Sequence, residues 1–151
     1  MLSTTASLGA DMASFCYNCR MIHFKYKLQA SSLHGVGLFT DQPLTKGQLL
    51  YTASPLLDVN ITQEQFDALD EKEKKEVLWW GFFDQPSQMW HVDFDVSKFI
   101  NHSYNATVTQ DESHEEAYLV AVRDIEAGEE LTQNYLEFET EEDLAKRGIK
   151  P

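Results

Sequence analysis

Between His23 and Leu28 the chain alternates, with Phe24, Tyr26 and Leu28 on one side and His23, Lys25 and Lys27 on the other, which is the period of a half-buried strand. Trp90-His91-Val92-Asp93-Phe94-Asp95-Val96 repeats that alternation. Ala117 to Val122 is apolar on both faces and predicts a central strand. The clearest helical signals lie at residues 62–81, and the acids from Glu137 to Asp143 read as loop and surface-helix charges. There Thr62-Gln63-Glu64-Gln65 has the order of a capping box ahead of Phe66 and Leu69, and Asp70, three before Glu73, opens a second short helix carrying Val77, Leu78 and Trp80. The mixed charges from Glu71 to Glu76 read as its solvated face. Trp79, Trp80, Phe82 and Phe83 bury so much area when covered that they are expected in the core rather than as a binding cage.

Two corners share a spacing. Leu44-Thr45-Lys46-Gly47 precedes the run Leu49-Leu50-Tyr51, and Ile125-Glu126-Ala127-Gly128 precedes Leu131, an aliphatic residue three before a glycine each time. The match suggests two similarly built strand-turn-strand units, though coincidence gives the same spacing. Gly35-Val36-Gly37 lets the backbone approach something bulky or take positive φ, and alone it marks a bulge or turn just as readily. In Phe99-Ile100-Asn101-His102-Ser103-Tyr104 an apolar pair runs straight into polar residues, an order suited to side chains turned inward, where they must be hydrogen-bonded. A plain turn is the competing reading, with Asn105 as its natural punctuation.

At 151 residues and 42% hydrophobic content the chain is long enough for one packed domain, and no stretch approaches the roughly 20 apolar residues of a membrane span. Met1 to Ala13 lacks the basic start and continuous apolar core of a secretory signal, so the expected compartment is intracellular. A net charge of −13 argues against direct nucleic-acid binding and toward basic partners. Cys16-Tyr17-Asn18-Cys19 has the look of half a zinc site, with His23 and His34 as further ligands in principle. The spacing fits no standard zinc module, so two reduced thiols and no metal are expected.

Three separated pieces occur in order: Gly35-Val36-Gly37-Leu38-Phe39, then Phe99-Ile100-Asn101-His102-Ser103, then Gly128-Glu129-Glu130-Leu131-Thr132 with Tyr135. Together they resemble the SET domain of S-adenosyl-L-methionine-dependent protein lysine methyltransferases, which carry Gly-x-Gly, Asn-His-Ser-Cys and Glu-Leu-Thr-x-x-Tyr in that order. The likeness covers about residues 22–138, leaving 1–21 as a loose N-terminal segment and 139–151 as a C-terminal one. It implies a mainly β fold of small curved sheets, a helical insert at about 62–83, and a pseudoknot in which the Asn-His-Ser segment threads under the final Tyr segment.

The resemblance also implies roles. Gly35, Val36 and Gly37 would bring backbone against the cofactor, Asn101 and His102 would anchor its amino-acid and adenine ends, and Tyr135 would meet it as the catalytic residue. Tyr104, Gln133 and Phe138 would line the substrate channel. Three departures stand out: Tyr104-Asn105-Ala106-Thr107 replaces Cys-x-Pro-Asn, Gln133 and Asn134 replace a common aromatic and a frequent Asp, and no Cys follows Cys19. Without the zinc-binding cysteines that complete the channel in many members, a partner, or Phe138 with the C-terminal segment, has to close it. The implied activity is lysine N-methylation of a basic protein or peptide, a histone tail among the candidates, in nucleus or cytoplasm, which would make the protein a chromatin regulator. A degenerate acidic module that binds basic proteins without turnover, and methyl transfer to a non-lysine acceptor, are the alternatives. Oligomeric state is left open.

Overall fold

The structure, a computed structural model, describes residues 21–113 and 118–149, so Cys16 and Cys19 lie outside the described residues. In chain order the elements are β1 (Tyr26–Ala30), β2 (Val36–Thr40), β3 (Leu49–Thr52), β4 (Asp58–Thr62), α1 (Gln63–Ala68), α2 (Glu71–Trp80), β5 (Gly81–Asp84) and β6 (Met89–Asp93). A 3-10 turn at Val96–Phe99 leads into β7 (Asn101–His102), β8 (Val108–Gln110), β9 (Tyr118–Ala121) and β10 (Thr132–Gln133). A second such turn, Tyr135–Glu137, precedes α3 (Glu141–Lys146). The strands form three small sheets: the hairpin β1-β2, a five-stranded sheet ordered β3-β9-β8-β10-β7, and a three-stranded sheet ordered β4-β6-β5.

Both helices of the insert start where their caps dictate. Thr62 accepts from the Gln65 amide while the Gln65 side chain returns to the Thr62 amide, and Asp70 and Glu73 repeat the exchange. β4 leads into these helices and β5 out of them, and β6 pairs with both, from Asp58↔Asp93 to Thr62↔Met89 and from Gly81↔Val92 to Asp84↔Met89, so residues 58–93 form one unit. β9 lies between β3 and β8, as its two apolar faces predict. The two corners are paired with each other: Leu44 and Ile125 exchange backbone hydrogen bonds of 2.9 Å, and Gly47 and Gly128 take φ of 78° and 88° at matching places. Leu38, Leu44, Leu50, Val108, Ile125 and Leu131 are the innermost residues of the core.

Two expectations change. Leu28 is exposed although Phe24 on the same expected face is buried, because regular pairing begins at Tyr26 and, among the described residues, β1 has only β2 beside it. The aromatic cluster divides: Trp79 is 71% exposed and Trp80 45% exposed, while Val77 turns inward. Trp80 instead donates to Glu76 and lies under the Lys98 ammonium, 5.1 Å from its ring centre. Phe82 and Phe83 are half-buried, against Phe138 and Trp90.

The threading is explicit in the pairings. β10 runs parallel to both β7 and β8 and sits between them, with Thr132↔Asn101, Gln133↔His102 and Gln133↔Val108 in register. Ser103 N–H donates to Gln133 O and Thr107 N–H to Thr132 O, so the 103–107 segment passes around β10. This wraps the Asn-His-Ser segment about the strand that delivers Tyr135, the pseudoknot that the sequence resemblance implies.

Candidate active site

Tyr135 opens the 3-10 turn that follows β10, and the Asn134 side chain caps that turn by accepting from Leu136 N–H. Cap and parallel pairing aim the phenol back at β7, where its hydroxyl donates to the Ile100 carbonyl at 2.5 Å. The Tyr135 N–H donates to His102 Nδ1 at 3.1 Å. Burial pushes the phenol up to about 12, against the pull of Arg147, so it is protonated throughout the neutral range. A protonated phenol that already gives its hydrogen to a carbonyl still offers an oxygen lone pair to a second donor.

Burial pushes the His102 imidazole below its ordinary value, with Arg147 adding to the effect. Because Nδ1 accepts from Tyr135, the ring proton belongs on Nε2, and Nε2 is buried without a partner among the described residues. An orphaned buried N–H beside this phenol is a feature a bound acceptor atom would satisfy. Tyr104, half exposed, sets its ring edge-on to His102 at 4.7 Å; His102 faces Tyr135 at 5.4 Å, Tyr135 faces Phe138 at 5.4 Å, and Phe138 rests on Phe82 at 4.5 Å. The site is therefore walled by one continuous row of rings.

Gln133 is buried, and its amide is turned to Glu137, which also accepts from Thr109 Oγ1. Asn101 is buried and its Nδ2 reaches three acceptors: His34 O at 3.1 Å, Val36 O at 3.2 Å and Glu130 Oε1 at 2.8 Å. It thus straps the Gly35 loop to the segment before β10. Gly35 has φ of 50° with open space where a side chain would start. Gly37 answers a different need, since a Cβ there would lie 2.2 Å from Glu130 Oε1. Ser103 accepts from Asn105 N–H, so the polar run ends in the turn that Asn105 suggests, while Asn101 and His102 face inward.

Sequence reasoning passed over three side chains at this place. Glu130 binds both Asn101 and Ser31 and lies over Gly37; its position inside the third motif was the available signal. Arg147 and Glu139 pair at 2.5 Å, and Arg147 lies 5.2 Å from the Tyr135 ring centre; nothing but a cation in an acidic tail marks them. Burial pushes Glu139 up to about 7. A further polar cluster joins the insert to the core: Tyr51 donates to Asp95, and Asp93, facing Asp58 across the strands, is pushed by burial up to about 7.

Residues 35–136, about two thirds of the chain, match the SET domain family profile. No curated protein matches the chain. Among solved structures, it superposes on an active polycomb repressive complex 2 in the basal state with a TM-score of 0.57 and 23% identity, over 74% of this chain and 15% of that one. ctPRC2 in an autoinhibited conformation bound to S-adenosylmethionine gives 0.58 and 22%, over 83% and 17%. A Plasmodium falciparum protein assigned as a histone methyltransferase gives 0.52 and 16%, over 76% and 95%. The chain thus spans about one sixth of the two polycomb chains. With a family match across all three motifs and a threaded β fold shared with these structures, the chain belongs to the SET domain family.

Proposed function

We propose that the protein is an S-adenosyl-L-methionine-dependent protein lysine N-methyltransferase acting on a basic segment of a protein, with a histone tail among its candidate substrates. The observation that carries the reading is Tyr135, half-buried and protonated, its phenol fixed on the Ile100 carbonyl and its backbone N–H on His102 where β10 lies beside β7. When bound, S-adenosyl-L-methionine would supply a sulfonium methyl group open to in-line attack by a neutral amine, the sulfide leaving with the sulfur–methyl electron pair.

Holding the donor falls to the Gly35-Val36-Gly37 loop, strapped in place by Asn101, and to His102, whose unpartnered Nε2–H suits an acceptor on the adenine side. Tyr104, Gln133 and Phe138 are proposed to frame the acceptor passage, and the net charge of −13 favours a cationic peptide outside it. Because the Tyr135 hydroxyl spends its hydrogen on Ile100, its oxygen accepts from the amine N–H and turns the nitrogen lone pair toward the methyl group. Tyr135 is not the base. A free lysine is about 10.4 and only one in a few thousand is neutral at pH 7, so the apolar walls must shed the ammonium proton to water before transfer.

Tritiated-methyl incorporation into mixed basic proteins tests the reading. Wild-type protein labels them, and Tyr135→Phe loses about a hundredfold or more of turnover while calorimetric binding of S-adenosylhomocysteine is nearly unchanged. Full turnover in the variant removes Tyr135 from the chemistry. Binding of basic proteins with no label in the wild type replaces the enzyme with an acidic binding module.

A further inference from the structure

α3 ends in a cation aimed at the proposed site. Arg147 is its C-cap, its N–H bonded back to Asp143 and Leu144, and the turn is completed by Gly148 at φ of 76° and by Ile149 N–H on Leu144 O. Leu144, buried, seats the helix. The guanidinium then joins three parts of the molecule: it pairs with the Glu139 carboxylate at 2.5 Å, donates to Gly81 O at 3.4 Å where the insert helix ends, and lies 5.2 Å from the Tyr135 ring centre.

We infer that Arg147 is a positioning residue for methyl transfer, its guanidinium held over Tyr135 by Glu139 so that the acceptor pocket favours the neutral form of an entering lysine. The inference rests on the proposed placing of the acceptor at Tyr135. A fixed cation raises the free energy of an ammonium beside it more than that of an amine, and each unit by which the amine's pKa falls raises the reactive fraction about tenfold at neutral pH.

The titratable and charged groups around the site come from several elements: Glu139 from the segment before α3, Asp143 and Lys146 from α3, His102 from β7, Asp93 from β6, and Glu137 beside Gln133. Among them Arg147 acts most strongly on the phenol, ahead of Glu139 and Asp93, and it is the charge that acts on His102. Glu139 opposes it only in part, since burial draws that carboxyl toward its neutral form. The ion pair therefore has two functions. It fixes where the guanidinium sits, and as Glu139 takes up a proton it leaves the positive charge less compensated.

The test is the pH profile of kcat for methyl incorporation, which reports the acceptor amine as bound, run beside an NMR titration of His102. Arg147→Met should move the acidic limb up by about one pH unit and raise the His102 titration. Glu139→Gln, nearly isosteric, should move both down, and Arg147→Lys should keep the limb in place even if the protein melts earlier. Should Arg147→Met fail to fold, the direction of the Glu139→Gln shift decides. Wild-type turnover with an unmoved limb in Arg147→Met or Glu139→Gln overturns this inference and leaves the proposed activity standing; so does an Arg147→Met enzyme faster than wild type at all pH values, which would make the guanidinium an obstruction. Wild-type protein that binds no S-adenosylhomocysteine and transfers no label overturns the proposed activity and this inference with it.

Discussion

Replacing Gly37 by Ala places a methyl group 2.2 Å from Glu130 Oε1 and 2.7 Å from its Cδ, with Phe39 Cε2 at 3.1 Å. The backbone itself tolerates the change, because positive φ in this loop belongs to Gly35 and not to Gly37. The cost falls on Glu130, which has to swing away and give up Ser31 Oγ at 2.9 Å and Asn101 Nδ2 at 2.8 Å. Hydrogen bonds to a charged group are worth about 1.5–3 kcal/mol each, and partial solvation of Glu130 puts the loss near the lower end, about 3 kcal/mol for the two. Alanine returns about 0.4–1 kcal/mol by restricting the unfolded chain, so Gly37→Ala should cost about 2 kcal/mol net. Glu130→Ala should cost about as much on its own. Once Glu130 is gone the added methyl has room, so the double variant should be little worse than Glu130→Ala, a coupling of about 2 kcal/mol. Urea unfolding followed by circular dichroism, with all four proteins at one pH, gives that number. Additive costs within about 0.5 kcal/mol would refute the argument that Gly37 is glycine in order to admit Glu130.

Other consequences are as direct. Asp93 is neutral in the folded protein up to about pH 7 but ionised above about pH 4 when unfolded, so the native state holds the extra proton and stability must fall as pH rises through that window. Asp93→Asn should accordingly match wild type near pH 3 and exceed it above pH 7 by up to about 4 kcal/mol in chemical unfolding; equal stability at pH 8 contradicts the assigned environment. Asn101→Ala releases the Gly35 loop from His34 O, Val36 O and Glu130, and calorimetry should show S-adenosylhomocysteine binding at least tenfold weaker; unchanged affinity would make the strap irrelevant to the cofactor. Asp70→Ala leaves Lys72 N–H and Glu73 N–H uncapped and should lower stability by about 1 kcal/mol without touching S-adenosylhomocysteine binding, as thermal melts with and without it would show.

What could be read from the sequence was what is decided locally or by ordered motifs. Thr62 and Asp70 announce their helices because a cap is a contact across three residues. Leu44 and Ile125 announce their corners through spacing, though not that the corners bind each other, since that pairing spans the whole chain. The two-residue strands Asn101–His102 and Thr132–Gln133 are too short to show a period; their motifs drew attention to them, and long-range pairing made them strands. β4 escaped notice because Asp58-Val59-Asn60-Ile61-Thr62 is largely solvent-facing and acquires its structure from β6. Trp79 and Trp80 misled because hydrophobicity alone does not choose the buried side of a helix; Val77 took it, and Lys98 and Glu76 supply Trp80 with partners at the surface. Tyr135 and His102 were legible as a pair through the family motifs. Arg147 was not, since a guanidinium's reach to a distant ring leaves no mark in a tail where acids outnumber bases.

The most direct measurement of the central claim is a crystal structure of the protein with S-adenosylhomocysteine. The ligand's adenine side is expected at His102 Nε2, its amino-acid end against the Gly35 loop, and its sulfur facing the Tyr135 hydroxyl along a narrow passage open on the opposite face. A ligand bound away from the phenol, or crystals that never take it up at saturating concentration, would contradict it.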